Sequence, residues 1–319
     1  MSDVDVAVVG GGAAGLSAAL VLARARRRVV VVDAGAPRNA PAVHMHGFLS
    51  RDGFPPSDLL TLARNEVTGY GAAITPGSVS DALTNGSSGF RVLLADGRRI
   101  STRRLLVTTG LRDELPDIAG LRDRWARDVL HCPYCHGYEV RDQRLGVLGW
   151  SPDSVKYAQI VRQWTDDLVY FDMTGALSAS ERNAFVVRAV EVVVGAVTGL
   201  TVDNDQLSGV EVDGDRVIAR DAVFVAPRFV PNSDLLVRLG CQHDEAGWVV
   251  ADRTGRTSVD GVWVAGNVAN SRAQVITAAG EGSAAAIALN ADLVDEDVRT
   301  AVNDSSRRRP RSGPGERRI

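Results

Sequence analysis

The sequence predicts an α/β chain with parallel strands, and three observations carry that prediction. Short β-branched runs are each followed by a turn and then by helical spacing, and this strand-helix-strand pattern occurs twice. A length of 319 residues, 45% of them hydrophobic, is enough for two cores. Thirty-two glycines point to backbone running close to a ligand or to other backbone.

The elements follow in order. Val4–Val9 reads as a buried parallel strand, because it is short, β-branched and followed at once by glycines. Helical spacing takes over from Ala13 to about Arg26, and a strand at 29–32 ends on Asp33. A further strand at 105–107 ends in Thr108-Thr109-Gly110. After Pro116 the pattern restarts as strand 145–148, a helix around 155–164 and strand 168–171. Residues 185–225 alternate like antiparallel strands, with turns at Asn204-Asp205 and Asp213-Gly214. Near the end, strand 261–265 runs into Gly266-Asn267, and a small-residue helix is expected from about Gln274 to Asn290. The Arg- and Pro-rich segment after Asn303 reads as a disordered, solubilising tail.

Composition excludes several function classes. The net charge of -3 hides six Arg at 303–319, set against Asp304 and Glu316, so the body is more acidic still and carries no electrostatic footprint for nucleic acid. Residues 6–23 lack charge over the length of a membrane span, but Gly10, Gly11, Gly12 and Gly15 interrupt them, and Asp3 and Asp5 replace the basic start of an export signal. Three cysteines do not make a disulfide-stapled secreted scaffold. The expectation is a cytoplasmic protein with no nucleic-acid or membrane partner.

Gly10-x-Gly12-x-x-Gly15 sits between a strand and a helix, and Asp33 closes the next strand. Dinucleotide binding requires this arrangement: the first glycine makes the tight turn, the second admits a pyrophosphate to the backbone, and the third lets helix and strand pack. An acid at the end of the second strand can accept from ribose hydroxyls.

His131-Cys132-Pro133-Tyr134-Cys135-His136 supports four readings. Cys-x-x-Cys lowers a thiol pKa and lets two sulfurs exchange with a substrate disulfide or dithiol, and His136 can move the proton. The same letters match c-type haem attachment, which follows export. They also supply four zinc-type ligands, though crowded within six residues, and a merely structural pair is the fourth reading. The redox reading is favoured. Cys241 stands alone and reads as a small core residue.

The initial glycine turn, the Cys-x-x-Cys opening a second unit and Gly266-Asn267 ahead of the last helix together resemble the low-molecular-weight thioredoxin reductase family of flavoproteins over residues 4–292. The resemblance implies two Rossmann-like (three-layer ββα) dinucleotide-binding-type domains, the second inserted in the first. FAD would bind residues 1–114 and 229–298, the NAD(P)-like domain carrying the cysteines would span 115–228, and 299–319 would be the basic tail. It implies FAD contacts from Gly10, Gly12, Ala13, Ala14, Gly15, Asp33, Ala34, Arg38, His46, Gly110, Gly266, Asn267, Gln274 and Val275, and it implies a homodimer. Asn267 stands where the family has Asp.

Two departures refine this resemblance. The inserted domain should carry Gly-x-Gly-x-x-Ala, but reads Gly149-Trp150-Ser151-Pro152-Asp153-Ser154, and Tyr170-Phe171-Asp172-Met173 replaces the Arg-rich stretch that reads NADPH. The nicotinamide site therefore looks lost. His136 replaces the usual Asp after the second cysteine, and with 46–53 and Pro55-Pro56 the chain is similar to the flavin-dependent dithiol oxidases that close the disulfides of gliotoxin and holomycin. That subgroup implies oxidation of a small dithiol with O2 as acceptor and H2O2 as product. Cys132 would be the exchanging sulfur, Cys135 the flavin-side one and His136 the base, with Glu139 orienting it and His44 and His46 in the same region. A thioredoxin-disulfide reductase supplied by NADPH or another carrier, with a thioredoxin-like protein as partner, is the alternative. A flavoprotein redox sensor is the reading from another class.

Overall fold

The computed structural model describes residues 3–85 and 89–308. The valine runs and the glycine turn form β1 (Val4–Val9), α1 (Ala13–Arg24) and β2 (Val29–Asp33). After α2 (Pro56–Gly69) come β3 (Ala73–Pro76), β4 (Val79–Thr84), β5 (Phe90–Leu94) and the long β6 (Arg99–Val107). The sheet order is β3-β2-β1-β6-β5-β4, parallel through β6 and antiparallel beyond. Apolar residues on one face meet α1 and α2 through Leu16, Leu22 and Leu60; the other face packs Phe90, Val92, Leu235 and Leu236.

A second sheet is inserted after β7 (Leu111–Glu114). It starts with β8 (Val129–Leu130) and α3 (Pro133–His136), followed by β9 (Leu145–Gly149), α4 (Asp153–Val161), β10 (Leu168–Asp172), α5 (Ala179–Val187) and β11 (Val190–Val194). A meander of β12 (Val197–Asp203), β13 (Gln206–Val212) and β14 (Arg216–Ala219) precedes β15 (Ala222–Val225). The parallel order is β11-β10-β9-β15-β8. Its faces are covered by α4 and α5 on one side, through Ala158, Val161 and Phe185, and by the meander on the other, through Val197, Val210 and Val212. This is the three-layer arrangement expected.

The chain returns through β16 (Arg228–Pro231), which pairs antiparallel with β7 and makes a two-strand link between the units. After α6 (Asp234–Arg238), β17 (Val262–Val264) rejoins the first sheet beside β6, and α7 (Val275–Arg308) lies against α1. The insertion of one unit into the other is thus visible in the strand pairing. Among the described residues no helix is long and apolar enough to cross a membrane, and residues 6–23 divide between β1 and α1.

Two expectations are corrected. Residues 185–225 are antiparallel only from β12 to β14; Ser178 and Glu181 form a capping box that starts α5, while β11 and β15 belong to the parallel sheet. The two turns are right, with positive φ at Asn204, Asp205, Asp213 and Gly214, as primed hairpin turns require. The last helix does not stop near Asn290. Arg27 bonds Asn290 and Asp297, Arg103 pairs with Glu296 and Asp297, and Arg104 pairs with Asp292 and Glu296, so charges on the first unit hold the helix onward. Residues 299–308 of the expected disordered tail are therefore helical, and 309–319 lie outside the described residues.

Candidate active site

The first glycine turn meets its geometric requirements one by one. Gly10 has φ +108°, which L side chains rarely adopt, and a Cβ there would meet the Thr108 carbonyl. A Cβ on Gly15 would clash with the Gly10 carbonyl, so Gly15 sets how closely α1 approaches β1. A Cβ on Gly12 would meet nothing within 4 Å, which leaves the backbone at the start of α1 open. The Thr108 hydroxyl donates to the carbonyls of Val9 (3.0 Å) or Gly10 (2.9 Å), locking the end of β6 to the turn, a role the sequence did not single out. Asp33 accepts from the Gly11 N–H (3.2 Å), the Gly35 N–H (3.3 Å) and Arg64 (3.1 Å). Ala34, just beyond β2, is exposed.

The chain's return completes this groove. Ala14 at the start of α1 lies against Gly266 and Gly282; a Cβ on Gly282 would clash with the Ala14 carbonyl. Glu281 on α7 accepts from the Gly266 N–H (2.9 Å) and from the Asn270 amide (2.6 Å), fixing the loop between β17 and α7. Asn267 donates its amide to the carbonyls of Asn270 and Ala273, leaving its side-chain oxygen for a ligand. Gly110, with φ +70°, starts the link and accepts from the Asn232 N–H. Open backbone at Gly12, an acid at the end of β2 and an amide oxygen beside the start of α7 fit an extended dinucleotide such as FAD.

Cys132 and Cys135 are joined in a disulfide at the start of α3. The Gln274 side chain, just ahead of α7 and the half-buried Val275, lies 3.6 Å from Cys135 Sγ and donates to it. Gln274 also faces Gly47, so the loop after β2, the disulfide and the start of α7 converge. His136 follows Cys135, and burial pushes its pKa down from the ordinary 6.5; the charge of Glu139 opposes this and that of His46 adds to it. His46 stands between two carboxylates, with Nδ1 3.3 Å from Asp52 and Nε2 3.4 Å from Glu139. His44 is exposed. Trp164 packs where a Cβ on Gly137 would project, and Tyr134 meets it edge-on.

Arg38, expected against the cofactor, bonds the link strands. Its guanidinium makes two 2.7 Å bonds to Asp113 of β7, approaches His131 Nε2 at 3.1 Å and stacks over Phe229 of β16. His131 also stacks on Trp125, and its carbonyl accepts from the Tyr157 hydroxyl. Burial, reinforced by Arg38, lowers its pKa to about 4. Arg38 thus ties the link strands to the residue before Cys132. Cys241 is a buried free cysteine packed beside Thr257, as a core reading requires.

The corresponding turn of the inserted unit is closed. Ligands of parallel α/β sheets bind beyond the strand ends where the order reverses, here between β9 and β15. Trp150 follows β9, and its indole N–H donates 2.8 Å to the carbonyl of Ala226, just past β15, so the side chain bridges that crevice. Tyr170 covers Gly149, and Ser154 is buried against Ser151. Asp172 is buried and accepts from Thr174, Gly175 and Arg182.

Known proteins share this architecture. Residues 4–282 match the family model described as pyridine nucleotide-disulphide oxidoreductase. A probable thioredoxin reductase of Arthroderma benhamiae is 26% identical over 93% of this chain and 82% of its own. The crystal structure of HlmI superposes with a TM-score of 0.93 at 56% identity, covering 95% of this chain and 96% of that one. A putative thioredoxin reductase, TrxB, from Bacillus anthracis does so at 0.88 and 31% identity, over 92% and 99%. With an open glycine turn in one unit and, in the other, a disulfide against Gln274 ahead of α7, the chain belongs to the pyridine nucleotide-disulphide oxidoreductase family, as a thioredoxin reductase-like, FAD-binding flavoenzyme.

Proposed function

We propose that this enzyme oxidises a small-molecule dithiol to an intramolecular disulfide, with O2 as the final acceptor and H2O2 as product. The observation that carries the reading is Trp150 bridging the crevice between β9 and β15. With that site filled, a pyridine nucleotide lacks its binding place, and the disulfide remains the entry point for electrons. The His136 that follows the cysteines accords with it.

Gly10, Gly12, Ala13, Ala14, Gly15, Asp33, Gly266, Asn267, Gln274 and Val275 would hold FAD, which when bound supplies the two-electron store between the cysteine pair and O2. The chain's own residues perform the exchange. His136, kept neutral by burial, accepts the proton of one substrate thiol. The thiolate attacks Cys132 Sγ, forming a mixed disulfide and releasing Cys135 as thiolate, which the Gln274 amide stabilises. The second substrate sulfur then attacks the first, so the substrate leaves as a disulfide and both cysteines are left reduced.

Anaerobic mixing tests this. Flavin bleaching by dithiothreitol alone, with O2 uptake and H2O2 release on aeration, is expected; bleaching by NADPH without dithiol would instead establish a reductase. Cys132→Ser and Cys135→Ser keep FAD and lose turnover, and full dithiol oxidation by Cys135→Ser would sink the scheme.

A further inference from the structure

We infer that His46 is the second proton station of the dithiol reaction, a residue that takes the proton from His136 through Glu139 and returns His136 to its neutral form. The inference rests on the proposed dithiol oxidation. A dithiol brings two thiol protons to one site, and both must leave sulfur before the product disulfide closes. His136 offers one acceptor. It can serve the second thiol only if the first proton moves on.

The arrangement beyond His136 suits that task. Glu139 and His46 both act on the charge of His136, and His46 Nε2 lies 3.4 Å from Glu139 Oε1. On its far side, His46 Nδ1 lies 3.3 Å from Asp52 Oδ2, while the other Asp52 oxygen accepts the Gly47 N–H at 2.8 Å. Asp52 is thereby held below the usual carboxylate range, first by that N–H and then by His46. A neutral imidazole has a single N–H and can donate to one of its two flanking carboxylates, whereas the imidazolium donates to both. Proton arrival thus completes the hydrogen bonding of Asp52, His46 and Glu139 together. The charge of His46 also opposes a proton on His136. Asp52 is mostly exposed, which opens the chain of groups to solvent.

In balanced form, the first thiol loses its proton to His136 and its sulfur bonds to Cys132, breaking the enzyme disulfide. That proton passes to His46. The second thiol loses its proton to His136, its sulfur bonds to the first, and the bond to Cys132 breaks. Two electrons end on the cysteine pair and two protons on the two imidazoles. His46 acts through Glu139 on a later step than thiol entry, which gives it a signature distinct from a structural role.

The test mixes holoenzyme anaerobically with dithiothreitol, and separately with the monothiol 2-mercaptoethanol, then weighs acid-quenched protein by mass spectrometry. His46→Gln keeps a donor toward Glu139 but cannot take a proton. It is expected to accumulate enzyme bearing one dithiothreitol and to slow flavin bleaching about tenfold or more. Mixed-disulfide formation with 2-mercaptoethanol should stay within about twofold of the unmodified enzyme, since that step needs His136 alone. Asp52→Asn leaves the ring in place and removes one flanking charge, and should show the same accumulation to a smaller extent. Equal slowing with both thiols, or no accumulation in either variant, overturns the role of His46. If the unmodified enzyme is bleached by NADPH and not by dithiothreitol, the oxidase reading falls and the inference with it.

Discussion

The two strand-helix-strand units are built alike, and the difference between their turns decides what each can do. β1-α1-β2 ends in bare backbone: Gly10 at positive φ, Gly12 facing open space, and Asp33 at the rim. β9-α4-β10 ends in side chains: Trp150 bonded across to Ala226, Tyr170 over Gly149, and Asp172 buried among its own loop's donors. A parallel sheet supplies the crevice in both cases; the residues at the turn determine whether it admits a nucleotide. One turn presents open backbone at Gly12, and the other is occupied by the side chains of Trp150 and Tyr170.

Substitutions in the two turns break the comparison to different depths. Gly15→Ala has the largest effect, because its Cβ meets backbone that cannot give way; purified protein should carry little or no FAD by its flavin absorbance. Gly149→Ala meets the Tyr170 ring and the Phe171 carbonyl in a packed core, and overpacking of that kind costs about 1–3 kcal/mol. Urea unfolding should show that loss with FAD content unchanged, and loss of FAD from Gly149→Ala would end the distinction between the turns. Trp150→Ala removes a half-buried indole and one hydrogen bond, for about 2–3 kcal/mol. Dithiol oxidation should persist in that variant, and NADPH should still fail to bleach it, since Ser151, Asp153 and Asp172 remain.

The smaller effects are pH dependences. His131 has a folded pKa of about 4 against the ordinary 6.5, so the unfolded chain binds the proton more readily between those values. Its contribution is complete above pH 6.5 and is lost as pH falls toward 4, by about 1–2 kcal/mol at pH 5. Unfolding midpoints at pH 7 and pH 5 should converge in His131→Asn. For His136 the depressed pKa keeps the base neutral further into acid, so the acid limb of kcat/KM lies below pH 6.5 and disappears in His136→Asn.

Much of the site was legible because its residue types have few other uses in that spacing. Three glycines between a valine strand and a helix, with an acid closing the next strand, left one backbone geometry to adopt, and the cysteine spacing brought the two sulfurs into bonding reach. Trp150 showed by its size that the second turn does not present bare backbone. Other parts were not legible. Arg38 sits within the loop that the family resemblance assigns to FAD, but its charge is taken by Asp113, a partner 75 residues away. Glu281 is one acid in a long helix until Gly266 and Asn270 are brought beside it. The Phe-Val-Val run at 185–187 looked like strand because a helix end that leaves Val186 and Val187 exposed departs from the usual pattern.

By itself the sequence determined the α/β class, the glycine geometry of the first turn, the side chains that stand at the second turn and the spacing of the disulfide pair, because each is set by residues within about one element of one another. Tertiary structure alone decided that Gln274 reaches Cys135, that Arg38 bonds Asp113, and that His46 reaches Glu139. Those contacts join residues brought together by strand order and by the return of the chain through β17. A side chain's charge or hydrogen bond goes to the partner that packing presents, and local pattern carries no record of that partner.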